Sequence, residues 1–366
     1  MRFDIQLDSP VALHMQLVQQ LRAKIESGEW GPGARIPSEI ELAKENGISR
    51  GTVRQAMVRL HTDGLLERAP GKGTYVANRT LVSNMLIGVI LPYERDMLNL
   101  EILVGSEKAA RQEGYHVIYS QTHDDLQIQT HDIQLMREKG VAGLVIFPAS
   151  DIAYDETIAR LYGEGFPFVL VDRYFPPLAT DYVVVDNFGG AYDATQHLIA
   201  LGHRRIGFLS PGSLDTTSIR DRFEGYRQAL ADHNLDYDET LFHRYQGLMQ
   251  TDKNLASLRS MLCQADRPSA FFAVTDLLAI RLLEAAQREH LDVPDDLSVV
   301  GFDDIQQASL ISVPLTTVAQ PRIEIGIRAV EVLIERLHGH HEQPKQIVLP
   351  TRLVVRLSSG KARTRP

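Results

Sequence analysis

Arg50 and Arg54 stand four residues apart in the segment GISRGTVRQA, with Ser49, Thr52 and Gln55 around them. Side chains at that spacing share one face of a helix. Guanidinium and amide donors on one face suit two acceptors: phosphate oxygens, and base edges in a DNA groove, where arginine pairs with guanine in bidentate fashion. Each of the two arginines suits either role. Ser49 and Thr52, at the start of the helix, suit phosphate oxygens, and Ser38 is grouped with them. Arg35 suits the backbone, and a Gly71-Lys72-Gly73 tip suits the minor groove or the backbone. Glu39 suits a cytosine amine or the support of a capping turn, and the capping turn is the preferred reading.

The elements that must position these groups are marked locally. Ser38 followed by Glu41 is a capping box, so a helix begins at Glu39. Gly47 supplies the left-handed residue that stops it. Ser49 caps a second helix two residues later, with Val53, Met57 and Leu60 on its inner face and Gly64 at its end. Residues 65–68 and 74–76 then form a hairpin around Pro70-Gly71-Lys72-Gly73. Upstream, Ser9-Pro10 opens a first helix with the stripe Leu13, Leu17, Leu21, Ile25, which Gly28 ends. Two helices joined by a short turn, the second one basic, followed by a cationic wing, make a winged helix-turn-helix. A helical hairpin with a solvated basic face is the alternative, and the adjoining wing argues against it.

The pieces PGARIPSE, GISRGTVRQA, HTDGLLER and GKGTYV resemble the GntR-family DNA-binding domain over residues 7–77. One position departs: Ile40 stands where many members have arginine or tyrosine.

The net charge of −9 looks adverse to such a role until it is divided. Residues 1–80 carry 11 basic and 9 acidic side chains, and the remainder carries 27 and 38. The positive surplus therefore lies with the helix-turn-helix, while an acidic body repels DNA and orients the reader on it. At 366 residues the chain suits two or three domains. The single cysteine, Cys263, excludes an internal disulfide, fits a reducing compartment and is expected to be a buried, inert thiol. No signal peptide and no apolar run near 18 residues is present, so a cytoplasmic location without membrane insertion is expected.

From Met85 short apolar runs alternate with amphipathic segments. Strands are expected at 86–91, 117–120, 144–147, 168–171, 206–209, 270–273 and 298–301, with helices ending on Gly114, Gly140, Gly165 and Gly202. This alternation argues for parallel α/β sheets, and its length for two lobes. Ligands of such sheets bind beyond the carboxyl ends of strands. That singles out Tyr93, Arg95, Asp172, Thr275, Asp276 and Asp303, with Arg222 at the start of the helix after Ser210. Carboxylates accept from sugar hydroxyls, arginine donates to them, and aromatic faces cover the ring. The plainer readings are that Asp303 or Asp304 caps the next helix and that Arg220 and Arg222 form a solvated pair.

The segments VLVDR (169–173), VVVDNFGGAYDATQHLIALGHRRIGFL (183–209), RDRFEGY (220–226), AFFAVTD (270–276), SVVGFDD (298–304) and 314–337 resemble the sugar-binding region of LacI/GalR repressors, with its periplasmic-binding-protein fold. The resemblance covers 85–357 and implies sugar contacts for Arg222, Asp172 and Asp303. Thr275 departs from the usual asparagine, and Phe147 stands where a polar residue is common, in a position suited to stacking.

The expected organisation is a GntR-type winged helix-turn-helix (1–78), a linker (79–84) without a hinge helix, and a two-lobed LacI/GalR-type domain for sugar binding and dimerisation (85–360). This pairing is similar to the arabinose-repressor type. It implies a homodimeric repressor that binds pseudo-palindromic double-stranded operator DNA and is released by a small sugar such as L-arabinose. A soluble sugar-binding protein without a regulatory role is the alternative; it would need export and leaves the first 80 residues unexplained. No nucleophile elbow, P-loop, dinucleotide fingerprint or zinc motif is present, so neither enzymatic activity nor a cofactor is expected. The HGHH at 338–341 lacks partner ligands, so no metal is expected either.

Overall fold

The computed structural model describes residues 3, 5, 12–62, 64–69, 73–77, 85–92, 97–149, 151–211, 213–245, 253–339 and 343–363. Ser9, Pro10, the Gly71-Lys72 tip, the 79–84 segment, Tyr93, Arg95, His340 and His341 lie outside them. The chain divides into two compact units, Met1–Ser83 and Asn84–Pro366.

The first unit contains α1 (Leu13–Glu26), β1 (Arg35–Ile36), α2 (Glu39–Asn46), α3 (Arg50–Thr62), β2 (Leu66–Ala69) and β3 (Gly73–Val76). Leu17, Leu21 and Ile25 of α1 close over Leu42 of α2 and Val53, Ala56 and Leu60 of α3 in one core. The Ser38–Glu41 capping box forms in both directions, and Gly47 sits at φ 66°. The order β1-β3-β2 adds a third strand to the expected hairpin.

The second unit runs β4 (Leu86–Leu91), α4 (Met97–Gln112), β5 (His116–Gln121), α5 (Leu126–Glu138), β6 (Gly143–Ile146), α6 (Glu156–Gly163), β7 (Phe168–Val171), β8 (Asp181–Val185). It continues α7 (Asn187–Ala200), β9 (Ile206–Ser210), α8 (Thr217–Asp232), β10 (Phe242–Arg244), α9 (Lys253–Leu262), β11 (Ala270–Ala273), α10 (Asp276–Arg288), β12 (Ser298–Asp303). It ends with α11 (Gln306–Leu310), β13 (Thr316–Ala319), α12 (Arg322–Leu337), β14 (Gln346–Leu349) and β15 (Arg352–Val354). All seven expected strands are present, and β8, β10, β13, β14 and β15 join them.

Two sheets result. The first lobe has the order β14-β8-β7-β6-β4-β5 and the second β10-β9-β11-β12-β13-β15. Pairing is parallel throughout the first lobe; in the second, β15 alone runs antiparallel, against β13. The chain passes between lobes three times: from β8 into α7, from β13 into α12, and from β14 into β15. Helix α12 therefore leaves a strand of the second lobe and packs on α4 in the first. The two helices touch backbone to backbone. A Cβ on Gly326 would lie 2.0 Å from the Ile102 carbonyl oxygen, and one on Gly105 2.1 Å from that of Ile323. The C-terminal residues are strapped to the second lobe by buried His203. Its Nδ1 meets the Ser269 hydroxyl at 2.8 Å, and its Nε2 meets the Ser298 hydroxyl at 3.0 Å and the Gly360 carbonyl at 3.1 Å.

Cys263 is exposed, contrary to expectation, because it lies just past α9 at the surface. Its thiol donates to Glu289 at 3.1 Å, and that carboxylate raises the thiol pKa, which keeps it protonated and unreactive.

Candidate functional sites

In the first unit, α2 and α3 are joined by three residues, and Ser49 caps α3 by accepting from the Thr52 N–H at 3.0 Å. The two hydroxyls also meet at 2.8 Å. Arg50, Arg54 and Gln55 are exposed on the outer side of α3, opposite buried Val53, Met57 and Leu60. Val58, 59% exposed, continues the Arg50–Arg54 row by one turn. The sequence reading missed it, although its spacing was visible. Glu39 takes no part in the capping turn, which belongs to Ser38 and Glu41. Its carboxylate instead accepts from Arg54 Nε at 3.3 Å, which aims that guanidinium along the surface. Arg35, on β1, lies over the wing: a Cβ on Gly73 (φ 129°) would sit 3.2 Å from Arg35 Nε. Its conformation favours glycine there, and a Cβ would press on the exposed Arg35 side chain, which can shift.

In the second unit the central side chain is Arg222. It lies in the second turn of α8, not at the helix start, and it is buried at 4% exposure, so it is no solvated pair with Arg220. Its Nε donates to Asn187 Oδ1 at 2.8 Å and its NH1 to the Val274 carbonyl. Its guanidinium carbon stacks 3.7 Å from the centre of the Phe302 ring. NH1 is 3.9 Å from Asp303 Oδ1. Burial pulls the guanidinium pKa down, and Asp303 and then Asp172 push it back up; an arginine so flanked remains charged.

Asp303 is buried, accepts from Gln320 Nε2 at 2.7 Å, and stands at φ 121°, with Asp304 at φ 54°. Neither aspartate caps α11, whose preceding residue is Ile305. Asp304 pairs with Arg356 at 2.6 Å. Asp172, after β7 and at φ 66°, accepts from Ser218 Oγ at 3.3 Å and faces Arg173 Nε at 3.4 Å. The Arg173 guanidinium lies 4.6 Å over Phe147, so an arginine already occupies that ring face.

Two residues singled out by sequence are held in structural roles. Thr275 caps α10 by accepting from the Leu278 N–H. Asp276 is fully buried; one oxygen accepts from Thr317 Oγ1 at 2.5 Å and the other from the Ile305 N–H at 2.9 Å. Burial raises its carboxyl pKa to about 7.

The lobes meet at the start of α8. Thr216 Oγ1 accepts from the Asp151 N–H at 3.0 Å, Asp151 Oδ1 from the Ser213 N–H at 2.7 Å, and Thr217 Oγ1 from the Tyr174 N–H at 3.1 Å. With Asp172–Ser218 these bonds hold the edges of the cleft together. Further polar atoms are buried without a hydrogen-bond partner among the described residues. They are Asn99 Nδ2 and Oδ1 in the first turn of α4, Thr122 Oγ1 after β5, Arg173 NH1, Gln320 Oε1 after β13, and Arg322 Nε. The sequence reading missed Asn99, Thr122, Gln320 and Arg322. Position past a strand end was the available signal; burial was not visible. Among the described residues no His, Cys, Asp or Glu cluster is placed to hold a metal, and no helix is long and apolar enough to cross a membrane.

Comparison with known proteins adds to this geometry. Residues 13–76 match the family model of bacterial regulatory proteins of the gntR family, and residues 195–359 that of the periplasmic binding protein-like domain. The arabinose metabolism transcriptional repressor of Geobacillus stearothermophilus is 32% identical over 359 residues, which cover 94% of this chain and 97% of that protein. Its counterpart in Halalkalibacterium halodurans is 29% identical, covering 94% and 96%. Among solved structures, a complex of the transcriptional regulator CelR with cellobiose aligns with a TM-score of 0.67 and 25% identity, covering 88% of this chain and all of that one.

Proposed function

The chain belongs to the GntR-type transcriptional regulators that carry a periplasmic-binding-protein-like effector domain, and we propose that it represses sugar-utilisation genes, with L-arabinose as its effector. The observation that carries the reading is the buried cluster of Arg222, Asp303 and Asp172, joined by Arg173, Gln320 and Arg322, each of which touches it and keeps a buried polar atom without a hydrogen-bond partner among the described residues. The carboxyl ends of strands are where α/β sheets bind ligands.

The chemistry of the cluster selects the ligand class. Its two guanidiniums, Arg173 and Arg222, face the carboxylates of Asp172 and Asp303, and Asp124 lies 3.9 Å from Arg173. No surplus of positive charge is left for an anionic ligand to neutralise. Uncommitted amide, hydroxyl and guanidinium atoms remain, and each costs about 1–3 kcal/mol if left unpaired. A neutral polyol with several hydroxyls matches that inventory. The cellobiose complex of CelR is a sugar complex of a protein with the same fold, and the two arabinose repressors support the pentose.

On the DNA side, Arg50 and Arg54 read bases in the major groove, with Gln55, Ser38, Ser49 and Thr52 at the base edges and phosphates beside them. Arg35 and the Gly71-Lys72-Gly73 wing track the backbone. A homodimer places two such helices in successive half-sites. Sugar binding favours one lobe geometry, and operator affinity falls only to the extent that the sugar prefers that geometry. Electrophoretic shift titration of operator DNA against a panel of pentoses and hexoses tests this. Release by L-arabinose is expected, and unchanged binding across the panel would refute the sensing role.

A further inference from the structure

Arg322 opens α12 at the second crossing between lobes, and its side chain is 3% exposed. Its NH2 donates to the Asp303 backbone carbonyl, and its NH1 lies 3.2 Å from Glu101 Oε2 on α4. Asp303 ends β12 of the second lobe, whereas α4 belongs to the first. One guanidinium therefore spans from the turn that carries the candidate effector carboxylate to a helix of the other lobe. Only arginine has a rigid planar fork able to serve two acceptors in different directions at once.

The turn itself is held in an uncommon conformation. Asp303 and Asp304 both have positive φ, which is costly for residues with a Cβ. Asp276 fixes the Ile305 N–H, Arg356 fixes the Asp304 carboxylate, and Gln320 fixes the Asp303 carboxylate. Asp276 and Arg356 anchor the turn within its own lobe, and Gln320 sits at the crossing. The Arg322 contact is the one that continues to α4. At its far end, α4 cannot yield independently of α12, because the two helices meet at Gly105 and Gly326 with no space for a Cβ. A shift of the Asp303 carbonyl is thus passed to a locked helix pair.

We propose that Arg322 is a positioning residue that links the Asp303 turn to α4 through Glu101, so that effector occupancy and the orientation of α4 are energetically coupled. The proposal rests on the reading of the cleft as a sugar site. Glu101 is partly exposed and touches Arg322 from outside the cleft cluster, so Glu101→Ala separates binding from response. In the full chain, Glu101→Ala is expected to bind L-arabinose within about threefold of the parent by calorimetry. The drop in operator affinity caused by the sugar should shrink at least fivefold, the lower end of ordinary coupling. Arg322→Lys, which keeps the charge but loses the fork, should weaken both. A Glu101→Ala protein with the parent's full response would overturn the proposal.

A second measurement needs no sugar. Amide hydrogen exchange of the unliganded full chain should speed up at residues 99–104 and at 303–305 in both Glu101→Ala and Arg322→Ala. Parental protection in both variants would overturn the link, even if the parent protein ignored L-arabinose and the sugar reading failed on its own.

Discussion

Arg222 and Asp303 face each other at 3.9 Å with both side chains buried, one from α8 and one from the end of β12. Each is held by further neutral partners: Asn187 and the Val274 carbonyl for the arginine, Gln320 for the aspartate. The pair is preorganised, so a ligand inserted beside it finds donors and acceptor already oriented.

Arg222→Ala should abolish the sugar response while operator binding persists. Removing one partner of a buried charge pair also destabilises the fold, here by about 3 kcal/mol. Calorimetric titration with L-arabinose and thermal unfolding check the two effects. A variant that kept its sugar affinity would remove Arg222 from the site.

Arg54→Ala should cost about 1–3 kcal/mol of operator affinity if the contact is bidentate to a base. Glu39→Ala releases Arg54 from its 3.3 Å partner, and should change sequence preference more than affinity. Binding-site selection on randomised operators distinguishes the two outcomes.

Asp276 gives a signed pH dependence. Its folded-state pKa of about 7 is above the ordinary 3.8 because burial disfavours the carboxylate. The folded state therefore holds its proton where the unfolded state has released it. The resulting stability is full below about pH 4 and is lost as pH rises through 7. Asp276→Asn, which never ionises, should gain on the parent by on the order of 1–3 kcal/mol between pH 5 and pH 8. Chemical denaturation at the two pH values measures it.

His203 should show the opposite trend. Burial lowers its pKa below 6.5, so the folded state refuses a proton that the unfolded state accepts. Stability present above pH 6.5 is lost as pH falls below it, by at most about 1.4 kcal/mol per pH unit. Hydrogen exchange of residues 358–362 between pH 7 and pH 5 should report the loosening, and His203→Gln should blunt it.

Gly326→Ala places a Cβ 2.0 Å from the Ile102 carbonyl oxygen. Helix separation must follow, at a cost of about 1–3 kcal/mol or more, read as a lower Tm. Gly339, exposed past the end of α12, meets no such atom, but its φ of 71° disfavours alanine for a different reason.

The reading helix was legible because its signals are local. Ser38 and Glu41 are three residues apart, Gly47 stops the helix, and the Val53, Met57, Leu60 stripe repeats within one element. Arg222 was legible by residue type, but its burial was not. RDRFEGY alternates charge with aromatic residues as a solvated helix would, and enclosure by Phe302 and Asp303 comes from residues eighty positions on. Asp276 looked like a ligand contact because it follows a strand; the Thr317 hydroxyl that claims it arrives from β13. Arg322 gave no chemical signal, since its two partners lie on β12 and α4. The short strands β8 and β14 were missed although both carry apolar runs, YVVV at 182–185 and IVL at 347–349.

The pairing of Tyr182 on β8 with Gln346 on β14 bears on how the chain emerges from the ribosome. The first unit can fold once residue 83 has cleared the exit tunnel, long before the rest exists. The first lobe cannot, because its edge strand and the α12 that covers β6, β7 and β8 are among the last segments made. A nascent chain stalled before residue 320 therefore carries a complete DNA reader beside an uncapped parallel sheet, a state exposed to aggregation. Nonsense truncations that remove α12 and β14 should accordingly be lost to proteolysis instead of surviving as unregulated repressors.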